Sequence, residues 1–156
     1  MTLVDANQRV HDELHEALLQ TMELLTALDV PGARARWRAF TTALSRHMET
    51  EERDVLPPYA SLPHHERGGA PEHLKGDHTV LLRNSAACEE RLASLDPASP
   101  SLLRDVVLAL DVFFRLLHVM DHHTERETLL MYPALERALL AADLQRIARA
   151  LGEPVE

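Results

Sequence analysis

The chain has 156 residues, a formal net charge of −9 and 46% hydrophobic residues, enough for one domain with a buried core and too apolar for disorder throughout. That negative charge argues against a duplex nucleic-acid binder, which needs a basic face to displace counterions. No run approaches the ~18 apolar residues of a membrane span, and the single cysteine, Cys88, offers no internal disulfide; the expectation is a cytoplasmic protein with no nucleic-acid or membrane partner.

Few glycines and an abundance of Ala, Leu, Glu and Arg point to helix. A first helix is expected over about Asp5 to Leu28, with Leu14, Leu18, Thr21/Met22, Leu25 and Leu28 as its apolar stripe. His11 and His15 extend that stripe toward the N-terminus. Asp29-Val30-Pro31-Gly32 reads as a breaker, and a second helix follows over about Ala33 to Val55. Its stripe runs Trp37, Phe40, Leu44, His47, Glu51, Val55, so two polar residues continue an aromatic and aliphatic face. Pro57-Pro58 is expected to end it. A connector rich in proline and glycine, carrying His64 and His65, occupies about 57 to 71 and is the expected place for mobility.

The third helix, about Glu72 to Leu95, carries Leu74, His78, Leu81, Ser85, Cys88, Leu92 and Leu95 at alternating steps of four and three. The fourth, about Leu102 to Met131, carries Leu102, Val106, Ala109, Phe113, Leu116, Met120, His123, Glu127 and Leu130. Pro133 should break or kink it, and a fifth helix is expected over about Ala134 to Leu151, packed outside the others. The predicted fold is all-α: an up-down-up-down four-helix bundle over about 5–131, with an additional C-terminal helix, in a single domain spanning 1–156.

Ten histidines are many for this length, and their placement matters more than their number. His15, His47, His78 and His123 lie on the apolar stripes. His11 lies roughly 40° from His15, one turn further out. His73, His118 and His122 fall on flanks or toward solvent. Two segments repeat one frame: His47 and Glu51 before Pro57, and His123 and Glu127 before Pro133, with the proline ten residues after the histidine each time (57 − 47 and 133 − 123). A His and a Glu one turn apart share a helix face. Burying four imidazoles and two carboxylates is costly unless they are compensated, and a metal compensates all six together. The predicted metal residues are therefore His15, His47, Glu51, His78, His123 and Glu127, with His11 as a possible additional ligand.

With His15 before Leu18-Leu19, His47 and Glu51 before Leu56-Pro57, Asp77-His78 before Leu81-Leu82, and His123 and Glu127 before Met131-Tyr132-Pro133, the chain resembles the haemerythrin-like family, the His-His-Glu cation-binding domains. The resemblance implies a four-helix bundle holding two non-haem iron ions joined by an oxo or hydroxo bridge. His15 and His47 would serve one iron, His78 and His123 the other, and Glu51 and Glu127 would bridge them. Oxygen carriers of the family have a further histidine where this chain has Leu74, and an Asp five residues after the last histidine where this chain has Glu127 at four. The position vacated by Leu74 would be filled by His11, by solvent or, more distantly, by Tyr59. The implied function is to bind, sense or reduce a small oxidant (oxygen, hydrogen peroxide or nitric oxide), with a catalase- or peroxidase-like activity as its enzymatic form and an external reductant. The alternative is a metal-responsive regulatory or protein-binding helical module without turnover. The ferritin-like carboxylate class is disfavoured, because no Glu-x-x-His occurs.

Overall fold

The computed structural model describes residues 2–152, and every regular element among them is helical. Helix α1 (Leu3–Thr26) opens on a capping box: Thr2 Oγ1 accepts from the Asp5 amide and the Asp5 carboxylate accepts from the Thr2 amide, each at 3.0 Å. The chain reverses through Leu28, which takes a left-handed φ of 61°. Asp29 then caps α2 (Val30–Thr50), accepting from the Gly32 amide at 2.9 Å. A side chain at position 32 would collide with that cap, since a Cβ there would stand 2.2 Å from Asp29 Oδ2. Pro31 sits in the first helical turn, where no amide hydrogen is needed. The expected breaker is thus mostly helix, and α2 begins at Val30 instead of Ala33.

Neither proline frame ends its helix. After α2 the chain makes one π-helical turn, Glu51–Val55, closed by the Leu56 amide on the Glu51 carbonyl, and continues as α3 (Leu56–Ala60). After α5 (Leu102–Arg126) it repeats the device in Glu127–Met131, closed by Tyr132 on Glu127, and continues as α6 (Tyr132–Ala138). A proline in a regular helix would drive its ring into the carbonyl four residues back. The wider turn just before Pro57 and Pro133 lets the chain pass each proline while still helical. The expected stop at Pro57-Pro58 is corrected to a helix that continues through a π turn; at Pro133, where a break or a kink was expected, the chain likewise continues through a π turn.

Helix α4 (Pro71–Ala93) completes the bundle: α1 packs on α2, α4 on α5, and α1 also lies along α5. The expected fifth helix is two pieces, α6 and α7 (Ala141–Gly152), separated where Leu139 turns extended. Helix α7 buries Ile147 and Leu151 and packs on α1.

The interior is layered. One apolar cluster fills most of the bundle around Leu18, Trp37, Phe40, Phe113 and Leu116. A second, with Leu3, Val55, Tyr59, Leu74, Met131, Tyr132 and Ile147, closes one end. Between them, at one level of four helices, lie the buried polar residues Asn7, His11, His47, Glu51, His78, His123 and Glu127. The connector is tied down at that end: Tyr59 Oη donates to the Gly69 carbonyl at 2.5 Å, Arg126 Nη1 to the Gly68 carbonyl at 2.6 Å, and a His65 ring nitrogen meets the Tyr59 carbonyl at 2.9 Å. Among the described residues no helix is long and apolar enough to cross a membrane.

Candidate metal centre

Each polar residue of this layer continues an apolar stripe. On α2 and its π turn the inward positions Leu44, His47, Glu51 and Val55 follow one another; on α5 and its π turn they are Met120, His123, Glu127 and Met131. Helix α4 contributes His78 between Leu74 and Leu81. Helix α1 contributes His11, between Asn7 and Leu14.

The side chains form two groups that share both carboxylates: His11, His47, Glu51 and Glu127, and Glu51, His78, His123 and Glu127. Within each, one donor atom per residue lies within 4.8 Å of the others. In the first group His11 Nε2 is 2.9 Å from His47 Nε2 and 3.0 Å from Glu127 Oε2, and His47 Nε2 is 3.5 Å from Glu51 Oε1. In the second, His78 Nε2 is 3.2 Å from Glu51 Oε2 and His123 Nε2 is 3.1 Å from Glu127 Oε1.

Not all of these short contacts are hydrogen bonds. Both ring nitrogens of His123 and Oε1 of Glu127 are buried with no aligned hydrogen-bond partner among the described residues. Two imidazole nitrogens facing each other at 2.9 Å can share at most one proton between them. Imidazole nitrogens and carboxylate oxygens that converge at this spacing fit a cation, which would displace their protons. Two imidazoles with shared carboxylate oxygens in each group suit a first-row transition-metal ion, and suit neither calcium nor a thiolate zinc site.

An outer ring orients the donors. His78 Nδ1 lies 2.9 Å from Glu52 Oε1, and His123 Nδ1 lies 3.8 Å from Asp77 Oδ2, which itself pairs with Arg126 Nε at 2.9 Å. The Thr124 hydroxyl contacts His11 Nδ1. Asn7 Nδ2 donates to Glu127 Oε2 at 3.2 Å, and Tyr132 Oη donates to Glu51 Oε1 at 2.6 Å. Partners of this kind fix ring tautomer and ligand orientation.

The electrostatics follow from burial opposed by neighbours. Burial pushes the His47 imidazole down to about 4, outweighing the nearby Glu51 charge. Burial also disfavours charge on His123, but Glu127, Asp77 and Glu51 overcome it and raise the group to about 9. His78 is likewise raised against burial, by Glu51 and Glu52. Burial would raise Glu127, yet His123 and His11 hold it down at about 2. Tyr132 is pushed well above the usual phenol range by burial and by the Glu51 and Glu127 charges, so it keeps its proton and remains a donor.

Of the seven residues singled out by sequence, the structure brings His11, His47, Glu51, His78, His123 and Glu127 together and leaves His15 outside. The His15 side chain is 42% exposed and its Nε2 stands 3.7 Å from Asp121 Oδ1. Expectation is corrected here, with a physical cause. The match between His15 and His47 assumed that α2 starts at Ala33. It starts three residues earlier (33 − 30), so His47 lies about 4.5 Å further from the loop and meets the α1 residue one turn further back. A signal for this existed. The α1 stripe steps by four, three and four through Leu14, Leu18, Thr21 and Leu25, so the next step back is three and lands on His11. Leu74 is buried in the apolar end cluster, and His11 stands where His15 was expected. Tyr59 belongs to the same end cluster and spends its hydroxyl on Gly69.

Tyr132, Glu52, Asp77, Asn7 and Thr124 went unassigned by sequence. Tyr132 is invisible to helical periodicity because the π turn shifts its register after Glu127.

The comparisons agree with this geometry. A family model described as the hemerythrin HHE cation binding domain matches residues 2–135. Searches of curated proteins and of solved structures return no match. The match covers the bundle, both proline frames and all six clustered residues, and the chain belongs to the hemerythrin HHE cation-binding family.

Proposed function

We propose that the buried cluster holds two non-haem iron ions and that the protein uses them to bind, sense or reduce a small oxidant such as oxygen, hydrogen peroxide or nitric oxide. The observation that carries this reading is the pair of donor groups sharing Glu51 and Glu127, sealed between two apolar clusters. His11 and His47 would hold one iron, His78 and His123 the other, with both carboxylates common to the two. Bound iron supplies one-electron chemistry and open coordination positions that side chains lack.

The chain's own residues do the rest. The apolar layers exclude bulk water, which strengthens electrostatic interactions within the centre. Tyr132 keeps its proton on Oη and fixes the Glu51 carboxylate. Glu52 holds the Nδ1 edge of His78 at 2.9 Å and the Asp77 carboxylate stands 3.8 Å behind that of His123, while both Nε2 atoms face the shared carboxylates. Among the described residues there is one cysteine, buried Cys88, so electrons for repeated reduction would come from an external reductant.

A second reading, a metal-responsive regulatory module without turnover, draws on one chain of contacts. His123 faces Asp77, Asp77 pairs with Arg126, and Arg126 donates to Gly68 of the connector. Metal occupancy could reach the connector by that path.

Metal analysis with an optical spectrum of aerobically purified protein tests the shared premise: about two irons per chain and near-ultraviolet charge-transfer bands are expected. Protein that stays metal-free in iron-replete medium would refute it. Oxygen release or reductant consumption on adding peroxide separates turnover from regulation.

A further inference from the structure

We propose that the pocket between α1 and α5 is the route by which a divalent transition-metal cation reaches the centre, with His15 and Asp121 as its first, transient ligands; the inference rests on the metal reading above. The pocket has a volume of ≈ 220 Å³ and is lined in part by His11, Asp12, His15, Met120, Asp121 and Thr124. Its floor is the buried ring of His11, a member of the centre, and its mouth is formed by His15 and Asp121, 42% and 61% exposed.

Three features fit a cation in transit. First, the lining carries two carboxylates, Asp12 and Asp121, and no Lys or Arg, so its side chains sum to −2 (two Asp, His neutral). Such a mouth concentrates dications from solution. Second, His15 Nε2 and Asp121 Oδ1 approach from opposite helices to 3.7 Å. Two metal–ligand bonds of ~2.1 Å can span that gap through one partly hydrated ion. Both side chains are exposed, so the ion can also leave. Third, His11 lines the same pocket and belongs to the clustered donors, so an ion released at the mouth next meets a residue of the centre.

The alternative opening is larger: a pocket of ≈ 410 Å³ between α1, α2 and α7 reaches His47, and its lining offers one carboxylate, Glu13, against the two of the α1–α5 pocket. The position of His15 gains a purpose on this view: it lies one turn from His11 along α1, exposed at the mouth.

The test is the rate at which metal-free full-length protein takes up Co(II) without oxygen, followed by visible absorption, with the endpoint read by metal analysis. In His15→Ala and Asp121→Asn the rate should fall roughly five- to tenfold at low salt, with the wild-type endpoint retained. Added salt should slow the wild type toward the variants. Glu13→Gln, at the other opening, should stay within about twofold of wild type. Variants that load at the wild-type rate would overturn the route, and so would a variant endpoint short by one metal, which would make His15 or Asp121 a resident ligand. Wild-type protein that binds no Co(II) or Fe(II) at equilibrium has a different signature and would remove the metal reading itself.

Discussion

The two halves of the centre come from similar helical hairpins, yet their histidines are backed differently. In the α4–α5 half, Nδ1 of each histidine faces a carboxylate, Glu52 for His78 and Asp77 for His123. In the α1–α2 half, His11 is backed by the Thr124 hydroxyl, and burial depresses His47 to about 4. A carboxylate behind an imidazole makes it a more basic donor and fixes its orientation. Duplicated spacing in the sequence has therefore produced two unequal positions. The α4–α5 position should bind first and more tightly, and the α1–α2 position should be the more exchangeable.

The largest effect should come from the residues that the halves share. Glu127→Ala or Glu51→Ala removes a donor from both positions at once and leaves facing imidazoles without their counter-charge, so loss of nearly all bound metal is expected by elemental analysis. A variant that kept one full equivalent would show that the carboxylates are not shared.

Single-histidine variants should then split the halves. His47→Ala should leave about one tightly held metal per chain, whereas His123→Ala should leave at most one that a mild chelator strips readily. Equal retention in the two variants would contradict the inequality argued above.

The metal-free protein should show the same asymmetry as pH dependence. His123 is raised from 6.5 to about 9 in the fold, so its contribution is full below pH ~6.5 and is lost as pH rises through 9. His47 is lowered from 6.5 to about 4, so its unfolded form takes up a proton first and stability falls as pH drops from ~6.5 through 4. Each shift corresponds to about 3 kcal/mol. Chemical denaturation of metal-free protein between pH 4 and 10 should give a maximum near neutrality. A curve still rising at pH 9 would remove the ion-pair account of His123.

Behind the donors, Asp77→Asn and Glu52→Gln should weaken the α4–α5 position by about 10- to 100-fold while changing the α1–α2 position little. Competition with a chromophoric chelator reads the two constants separately. An equal loss at both positions would mean that these carboxylates act through general charge and not through their own histidines.

How far the centre could be read from sequence depended on whether a residue lay within a regular helix. His47, Glu51, His78, His123 and Glu127 sit on uninterrupted stripes, where a period of 3.6 is a sufficient guide. The choice between His11 and His15 needed a level along the bundle as well as an angle. That level was misjudged because Asp29 and Pro31, read as a breaker, begin the helix instead. The two π turns were hidden for a related reason. Proline foretells trouble for a regular helix, and nothing in the local pattern says whether the chain will stop or widen by one residue. Tyr132 was lost with that extra residue. Glu52 and Asp77 each adjoin a clustered residue in sequence, but their partners lie on other helices, and adjacency along a chain says nothing of contacts across a bundle.

The smallest effect, and the closest test of what joins the halves, is Tyr132→Phe. Tyr132 follows the second π turn, yet its hydroxyl reaches across to Glu51, which opens the first, at 2.6 Å. Glu51 contributes to both positions, so losing this donor should weaken both by a similar, modest factor, roughly three- to tenfold, the net worth of a typical hydrogen bond. Asp77→Asn should instead act on one side only. Apolar volume is nearly unchanged by Tyr→Phe, so thermal unfolding of the metal-free protein should stay cooperative. A one-sided loss in Tyr132→Phe would show that Glu51 serves a single position, and the inequality would then begin with the carboxylates themselves.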